Sequence, residues 1–226
     1  MAKHLDLEEQ EQLDQLKHFW KQYGDLITWA LIAVFGTFAA WNGYQYWQRS
    51  QAAKASVMFD LVERAVVEKD NEKLSRALAD MQKSYAKSTY TQQAGLISAK
   101  AFQDAGKADA STAALTWVAD NAADEGYKAV ARLRLVGLLV EAKAYDEALK
   151  QLDSSFPKEF AALAADRKGD VLLLQGKRDE ARTLFSTAYA ALDDTSEYRR
   201  LVEVKLNSLG VNPRLKTAEA VPGGKS

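Results

Sequence analysis

The side chains that could perform acid–base, nucleophilic or metal chemistry are few in this sequence, and they form no catalytic pattern. Cysteine is absent, which excludes disulfides, thiolate metal sites and cysteine nucleophiles. The two histidines, His4 and His18, lie near the N-terminus, so the long remainder of the chain has no imidazole for a base or a metal ligand. The terminal Gly224-Lys225-Ser226 matches the end of a phosphate-binding loop, but Glu219 stands where that loop needs its first glycine.

Adjacent carboxylates are the remaining candidates for chemistry, and their positions favour structural roles. Two pairs, Asp146-Glu147 and Asp179-Glu180, fall in the first turn of predicted helices, where negative charge suits the helix dipole. Two others, Asp124-Glu125 and Asp193-Asp194, fall in predicted connections, where such residues cap helices or form turns. We therefore predict a non-enzymatic protein with no catalytic residue, no cofactor and no metal. Composition alone leaves open the carboxylate-only chemistry of glycosidases.

The charge balance argues against nucleic acid as a partner. Lysine and arginine number 30 against 31 aspartate and glutamate, so there is no excess of positive charge to neutralise phosphates. The balance is uneven only at the start, where residues 1–25 hold six acidic side chains against three lysines. This segment is an acidic head.

An uncharged segment from Leu26 to Gln48 has the length of a membrane-spanning helix. At about 1.5 Å per residue it reaches across a hydrocarbon core of roughly 30 Å. Asn42 and Gln45 weaken insertion, but aromatic residues cluster towards both ends, as expected at two membrane interfaces. The leader is long and acidic, unlike a cleaved signal peptide, so we predict an uncleaved anchor contacting membrane lipid. Flanking charges do not decide its orientation.

Small side chains line one face of this predicted helix. Ala33, Gly36, Ala40 and Gly43 are spaced by three, four and three residues, which places them on one side of a helix. Such a face lets another membrane helix approach closely, although small residues are common in membrane helices for other reasons. We call these four residues the small-residue face, and both interpretations stay open.

The chain after residue 50 is rich in helix-forming residues and contains a repeat. The clearest unit runs from Ala165 to Ala188, where Gly169 allows close helix packing, Gly176 ends a first helix, and Ala181 with Phe185 forms a small-then-large pair. This unit resembles a tetratricopeptide repeat. Similar pairs occur upstream near the expected 34-residue interval: Ala77/Met81, Ala113/Trp117 and Ala148/Leu152.

The repeats predict an all-α fold, with a stack of about four helix pairs following the membrane helix; an irregular helical bundle is the alternative. Trp117 is then a core residue. The predicted helices span 50–69, 72–84, 89–105, 109–121, 125–142, 145–153, 158–175 and 178–192. A ninth, Ser196 to Leu209, begins with a serine able to cap and covers the apolar end of the last repeat.

The predicted organisation therefore has four segments. Residues 1–25 form the acidic head, 26–48 the membrane helix, 49–210 the repeat domain and 211–226 a disordered tail. Residues 1 to about 12 are predicted to be disordered as well. The concave face of a repeat stack comes mainly from its first helices. That register predicts a protein-binding groove lined by Leu96, Lys100, Gln103, Val130, Leu133, Leu163, Asp166 and Asp170.

The order of these parts, including Gln51-Ala52-Ala53-Lys54-Ala55-Ser56 after the membrane helix, resembles the YfgM-like family of ancillary translocon subunits. The resemblance covers nearly the whole chain. It implies a bacterial inner-membrane protein with its head in the cytoplasm and its repeats in the periplasm. It also implies association with the SecYEG channel and with a membrane-anchored periplasmic chaperone of the prolyl-isomerase type. It brings no catalytic residues.

From these observations we expect a non-enzymatic ancillary subunit of protein export, whose chaperone-associated periplasmic domain is held near the channel exit. Exported client proteins are further candidate partners. Two other functions share the same sequence features: a membrane-anchored scaffold for another envelope assembly, and an envelope regulator that acts through the acidic head.

Overall fold

The computed structural model describes the backbone of residues 7–214 and the side chains of residues 11–214. Within this range the chain forms nine helices and no strand, which confirms the predicted fold class. They are α1 (Leu7–Glu68), α2 (Asn71–Ser84), α3 (Thr89–Asp104), α4 (Ala108–Asn121), α5 (Glu125–Glu141), α6 (Tyr145–Leu152), α7 (Lys158–Leu174), α8 (Arg178–Ala191) and α9 (Glu197–Ser208).

Helix α1 is longer than predicted. It begins at Leu7 and continues for 62 residues, through the uncharged segment and on into the first helix of the repeats. The predictions of disorder up to residue 12 and of a new helix at residue 50 were therefore wrong for the described residues. The physical reason is that no proline or glycine interrupts residues 44–68, so nothing ends the helix.

The chain divides into two compact units, which meet between Gln51 and Ala52. The first unit is the part of α1 before this point. The second unit contains the last turns of α1 and all the later helices, arranged as four successive pairs followed by α9.

The turn inside each pair has the same backbone geometry. Lys69, Gly106, Lys143 and Gly176 all adopt a positive φ, between 54° and 79°, and each follows the first helix of its pair. In each turn the next residue donates its N–H to a carbonyl five residues back, for example Lys177 to Leu172 at 2.9 Å. This is a Schellman C-cap, and its recurrence at intervals of about 33 to 37 residues confirms the repeat.

The turns also give the register of the repeats. Ala148/Leu152 and Ala181/Phe185 stand five and nine residues after the left-handed residue, and all four side chains are buried as predicted. In the first two repeats the equivalent buried pairs are Leu74/Leu78 and Ser111/Leu115. The predicted pairs there were wrong by three and two residues. Of the four residues predicted there, Met81 is fully buried, Ala77 and Trp117 are partly buried, and Ala113 is exposed.

Gly169 is required where α7 meets α8. A Cβ at this position would lie 2.6 Å from Cε1 of Phe185, so the ring occupies the space that any other side chain needs. The ring itself is fully buried between α7, α8 and α9, among Leu172, Ala181, Val202 and Leu206. Close packing at Gly169 is therefore confirmed.

Helix α9 covers the end of the stack, as predicted. Val202, Leu206 and Leu209 are buried with Phe185, and Gly210, which follows α9, adopts the same left-handed conformation as the residues after the first helices. Ser196 occupies its N-cap position, but its side chain makes no capping hydrogen bond.

The prediction of a disordered tail was wrong for its first four residues. Val211 packs against the core beside α9. Nε of Arg214 lies 2.7 Å from the Glu203 carboxylate. The remainder of the predicted tail, residues 215–226, and the predicted disorder of residues 1–6 lie outside the described residues.

Candidate protein-binding groove

The first helices of the second, third and fourth repeats, α3, α5 and α7, lie side by side and enclose two concavities. The smaller, of about 250 Å³, lies between α3 and α5 and is lined by Ala99, Lys100, Gln103, Ser111, Leu115, Arg134, Gly137, Leu138 and Glu141. The larger, of about 510 Å³, lies between α5 and α7 and is lined by Val130, Leu133, Arg134, Val136, Gly137, Val140, Phe160, Leu163, Arg167, Asp170, Val171 and Leu174. We call the two together the groove.

The structure places six of the eight residues predicted for the protein-binding groove around the two concavities. Lys100 and Gln103 belong to the smaller concavity, and the larger one contains Val130, Leu133, Leu163 and Asp170. Leu96 does not line either one, because its side chain is packed into the core between α3 and its neighbours. Its backbone carbonyl still contributes, since it accepts a hydrogen bond from Nη1 of Arg134 at 3.3 Å.

Asp166 is in the wrong place for a binding residue. Its side chain is fully buried, with both carboxylate oxygens within 2.9 Å of Nζ of Lys205. The hydroxyl of Tyr198 donates to the same carboxylate at 2.6 Å. Lys205 and Tyr198 both come from α9, so Asp166 fastens this helix to α7 and is unavailable to a ligand.

Asp170 stands between this buried cluster and the groove. Nζ of Lys205 lies 2.7 Å from its carboxylate, while Arg167 approaches the same carboxylate at 3.6 Å from the groove side. Burial raises the pKa of Asp170 above its ordinary value, and the neighbouring lysine only partly offsets this. Burial and the hydrogen bond to Asp166 likewise raise the pKa of Tyr198.

The larger concavity is mainly apolar and open to solvent. Leucine, valine and phenylalanine side chains form its walls, and Leu174 at its end is 54% exposed. Its charged groups are the two arginines and Asp170. An open apolar trough with a few polar groups suits a polypeptide segment. In the part of the chain that the structure describes, no group of three acidic or histidine side chains could hold a metal ion.

Sequence reasoning missed Arg134, which belongs to both concavities. The sequence does contain the spacing that identifies this residue. Arg134 lies four residues after Val130 and three before Gly137, so the periodicity that predicted Val130 places Arg134 on the same helical face. Phe160 and Leu174 were missed because the predicted concave face of α7 ran only from Leu163 to Asp170, and these two residues lie beyond its ends.

The small-residue face is exposed along its whole length. Ala33, Gly36, Ala40 and Gly43 are all exposed on α1, and a Cβ added at either glycine would meet no atom within 4 Å. By length and composition, α1 is the one helix among residues 11–214 that could cross a membrane. Two polar side chains in its apolar segment bond locally: Thr37 donates to the Ala33 carbonyl at 2.8 Å and Asn42 to that of Phe38 at 2.9 Å. These bonds reduce the cost of placing them in lipid.

Comparison with known proteins assigns the chain to a family. The tetratricopeptide repeat-like domain family matches residues 17–211. The ancillary SecYEG translocon subunit of Neisseria gonorrhoeae is 35% identical over 210 residues, covering 92% of this chain and 100% of the relative. The chain belongs to the family of ancillary SecYEG translocon subunits.

Other members of the family match over a similar length. The ancillary SecYEG translocon subunit of Escherichia coli is 28% identical over 203 residues, covering 90% of this chain and 97% of the relative. The Haemophilus influenzae subunit of the same name is 26% identical over 203 residues, covering 90% and 98%. These matches cover both α1 and the repeats, so the resemblance found in the sequence is confirmed.

Proposed function

We propose that the chain is a non-enzymatic, membrane-anchored subunit associated with the SecYEG translocon, and that its repeats bind proteins near the channel exit. The observation that carries this proposal is the match to ancillary SecYEG translocon subunits across nine-tenths of the chain, including all of the relative from Neisseria gonorrhoeae. The open groove and the long apolar helix supply the two physical requirements, a binding surface and an anchor.

The anchor in this proposal is the segment from Leu26 to Gln48. Its large side chains are exposed, including Leu26, Trp29, Phe35 and Trp41, as lipid-facing residues must be. Residues 1–25 then face the cytoplasm and residues 49–226 the periplasm, an orientation that rests on the resemblance to the family. The location is the bacterial inner membrane.

The groove would bind the protein partner. The candidates are a membrane-anchored periplasmic chaperone of the prolyl-isomerase type and the emerging clients themselves. Tethering the repeats beside the channel raises their effective concentration there to the range of about millimolar, so a weak groove contact is sufficient for function. The groove is open to solvent, which agrees with weak and reversible binding.

Site-specific photo-crosslinking of the full chain in native membranes tests this proposal. A photoreactive side chain replaces Leu133, which lines the larger concavity, or Glu180, an exposed residue of α8 that lines neither concavity of the groove. We expect position 133 to crosslink to the chaperone or to emerging clients, and position 180 to give far less product.

Co-purification in mild detergent separates the proposal from its alternatives. Recovery of SecYEG components supports it. Recovery of a different envelope assembly, with no translocon component in any preparation, would overturn it in favour of a scaffold. A regulator acting through the acidic head requires that deletion of residues 1–20 changes the partners or the phenotype.

A further inference from the structure

Arg134 is the central charged residue of the groove. It is a lining residue of both concavities, one on either side of α5. Nη1 donates to the backbone carbonyl of Leu96 on α3 at 3.3 Å, which holds the guanidinium across the gap between the two helices. A bound segment that passes from one concavity to the other must therefore cross this guanidinium.

The other groove charges already have partners or lie apart from Arg134. Lys100 pairs with Asp104 at 2.9 Å. Asp170 is shared between Lys205 at 2.7 Å and Arg167 at 3.6 Å. Glu141 follows Arg134 by two turns of α5, a rise of about 10 Å, and is not within ion-pair distance.

Arg134 itself has no carboxylate within 4 Å among residues 11–214. Its guanidinium has five N–H donors in a planar arrangement that matches a carboxylate, and the one bond to Leu96 leaves most of them available. The walls beside it, Leu133 and Val130 among them, are apolar. The groove thus combines an unpaired cation with an apolar surface on the α7 side and a more polar one, which includes Lys100, Gln103 and Glu141, on the α3 side.

We propose that the groove selects polypeptide segments in which apolar residues lie on one side of an internal aspartate or glutamate, with Arg134 binding the carboxylate and the larger concavity holding the apolar residues. The proposal rests on the function proposed above, that the groove binds polypeptide. An internal residue is favoured over a chain terminus because the concave surface continues on both sides of Arg134, so the bound chain extends in both directions. Arg134 is then the residue that determines specificity.

Peptide selection on the full chain in lipid nanodiscs tests this. A phage-displayed library with an internal random segment is panned on the wild type, on Arg134→Gln and on Arg76→Gln. Arg76 is an exposed arginine on α2 outside the groove and serves as the matched control. We expect the wild type and Arg76→Gln to enrich peptides with an acidic residue next to an apolar run, and Arg134→Gln to enrich apolar peptides without the acidic preference.

The outcomes separate this inference from the proposed function. Apolar peptides without acidic enrichment on the wild type would overturn the role of Arg134 and leave the binding groove standing. Enrichment of basic residues would overturn it too and would point to Glu141. Failure to enrich any peptide would overturn both. A library ending in a free carboxyl group that outperforms the internal one would overturn the choice of an internal residue.

A matched peptide pair then gives the size of the effect. Two fluorescein-labelled peptides recovered from the selection differ only in glutamate or glutamine at the acidic position, and their binding is followed by fluorescence anisotropy. We expect the wild type to prefer glutamate by about 2- to 5-fold, as for an ion pair made by an exposed arginine. Arg134→Gln should bind both equally, and Arg134→Lys should keep part of the preference because the charge remains. A preference that persists in Arg134→Gln, with the fold confirmed by circular dichroism, would refute the assignment.

Discussion

Replacing Gly169 with alanine tests how closely the last repeat is packed. The new Cβ would lie 2.6, 2.8 and 3.0 Å from Cε1, Cδ1 and Cζ of Phe185. The ring cannot retreat easily, because Ala181, Val202 and Leu206 are fully buried around it and Nζ of Lys205 lies 5.1 Å from its centroid. The substitution must therefore displace a packed ring.

Two opposing effects set the change in the free energy of unfolding that Gly169→Ala causes. Overpacking a core costs about 1 to 3 kcal/mol, and replacing a helical glycine with alanine returns about 1 kcal/mol. We expect Gly169→Ala to lower the free energy of unfolding by up to about 2 kcal/mol. Gly137→Ala is the control, since a Cβ there meets nothing within 4 Å and should stabilise the helix by about 0.5 to 1 kcal/mol.

Urea unfolding of the full chain in detergent, followed by circular dichroism at the helical signal, measures both substitutions. The double variant Gly169→Ala/Phe185→Leu should lose less than the sum of its single variants, because a smaller side chain makes room for the methyl group. A Gly169→Ala variant as stable as Gly137→Ala, or full additivity in the double variant, would refute the packing argument.

Three further predictions concern the buried charges and the membrane helix. Lys205→Met should destabilise the repeats by about 3 to 5 kcal/mol in urea unfolding, since it leaves the Asp166 carboxylate buried without a cation; Asp166→Leu in the same chain should recover much of this loss. The pKa of Asp170 is raised in the folded state, so its carboxyl group stabilises the fold most at pH values below the pKa of the unfolded chain, and this stabilisation is lost as the pH rises through the folded pKa. Asp170→Asn should therefore gain stability relative to the wild type from pH 4 to pH 7. Replacing both glycines of the small-residue face with leucine should preserve membrane insertion and weaken co-purification of the translocon.

Each of these predictions has a clear contrary result. Unchanged stability in Lys205→Met would show that the Asp166 carboxylate is solvated or protonated. A loss of stability in Asp170→Asn at pH 7 would mean that its ion pair outweighs its burial. Equal co-purification by the double leucine variant and by Phe38→Leu, a control on the opposite side of α1, would make the helix an anchor alone.

Most of the helices in the repeat domain could be predicted from the sequence because their ends carry local signals. Asp124 caps α5 by accepting from the N–H groups of Gly126 and Tyr127, and Gly176 ends the turn after α7. These signals depend on neighbouring residues only. For α2 to α9 every predicted boundary agrees with the structure within one residue.

The features that were predicted in the wrong place depend on distant parts of the chain, or on local sequence in which interface and surface positions carry the same residue types. In the first two repeats alanine is common on several faces of each helix, so Ala77 and Ala113 look like interface residues although Leu74 and Ser111 occupy that position. Lysines 69 and 143 take the left-handed turn position that glycine usually marks, which hid the register.

The groove was only partly predictable for the same reason. Helical periodicity grouped Val130, Leu133 and Leu163, and the structure places all three around the larger concavity. It placed Asp166 there too, because the lysine that buries it arrives 39 residues later on α9. A pairing of that sequence separation leaves no local pattern.

The buried bond between α9 and α7 has a consequence for how the repeats come apart. A linear stack held by neighbour contacts normally frays from its ends, because a terminal repeat has only one neighbour. Here the last helix is secured by Lys205 and Tyr198 on the Asp166 carboxylate. Amide hydrogen exchange should therefore show the C-terminal repeat among the slowest regions to open. Helix α7, which lines the larger concavity, then stays folded while a partner is bound in the groove.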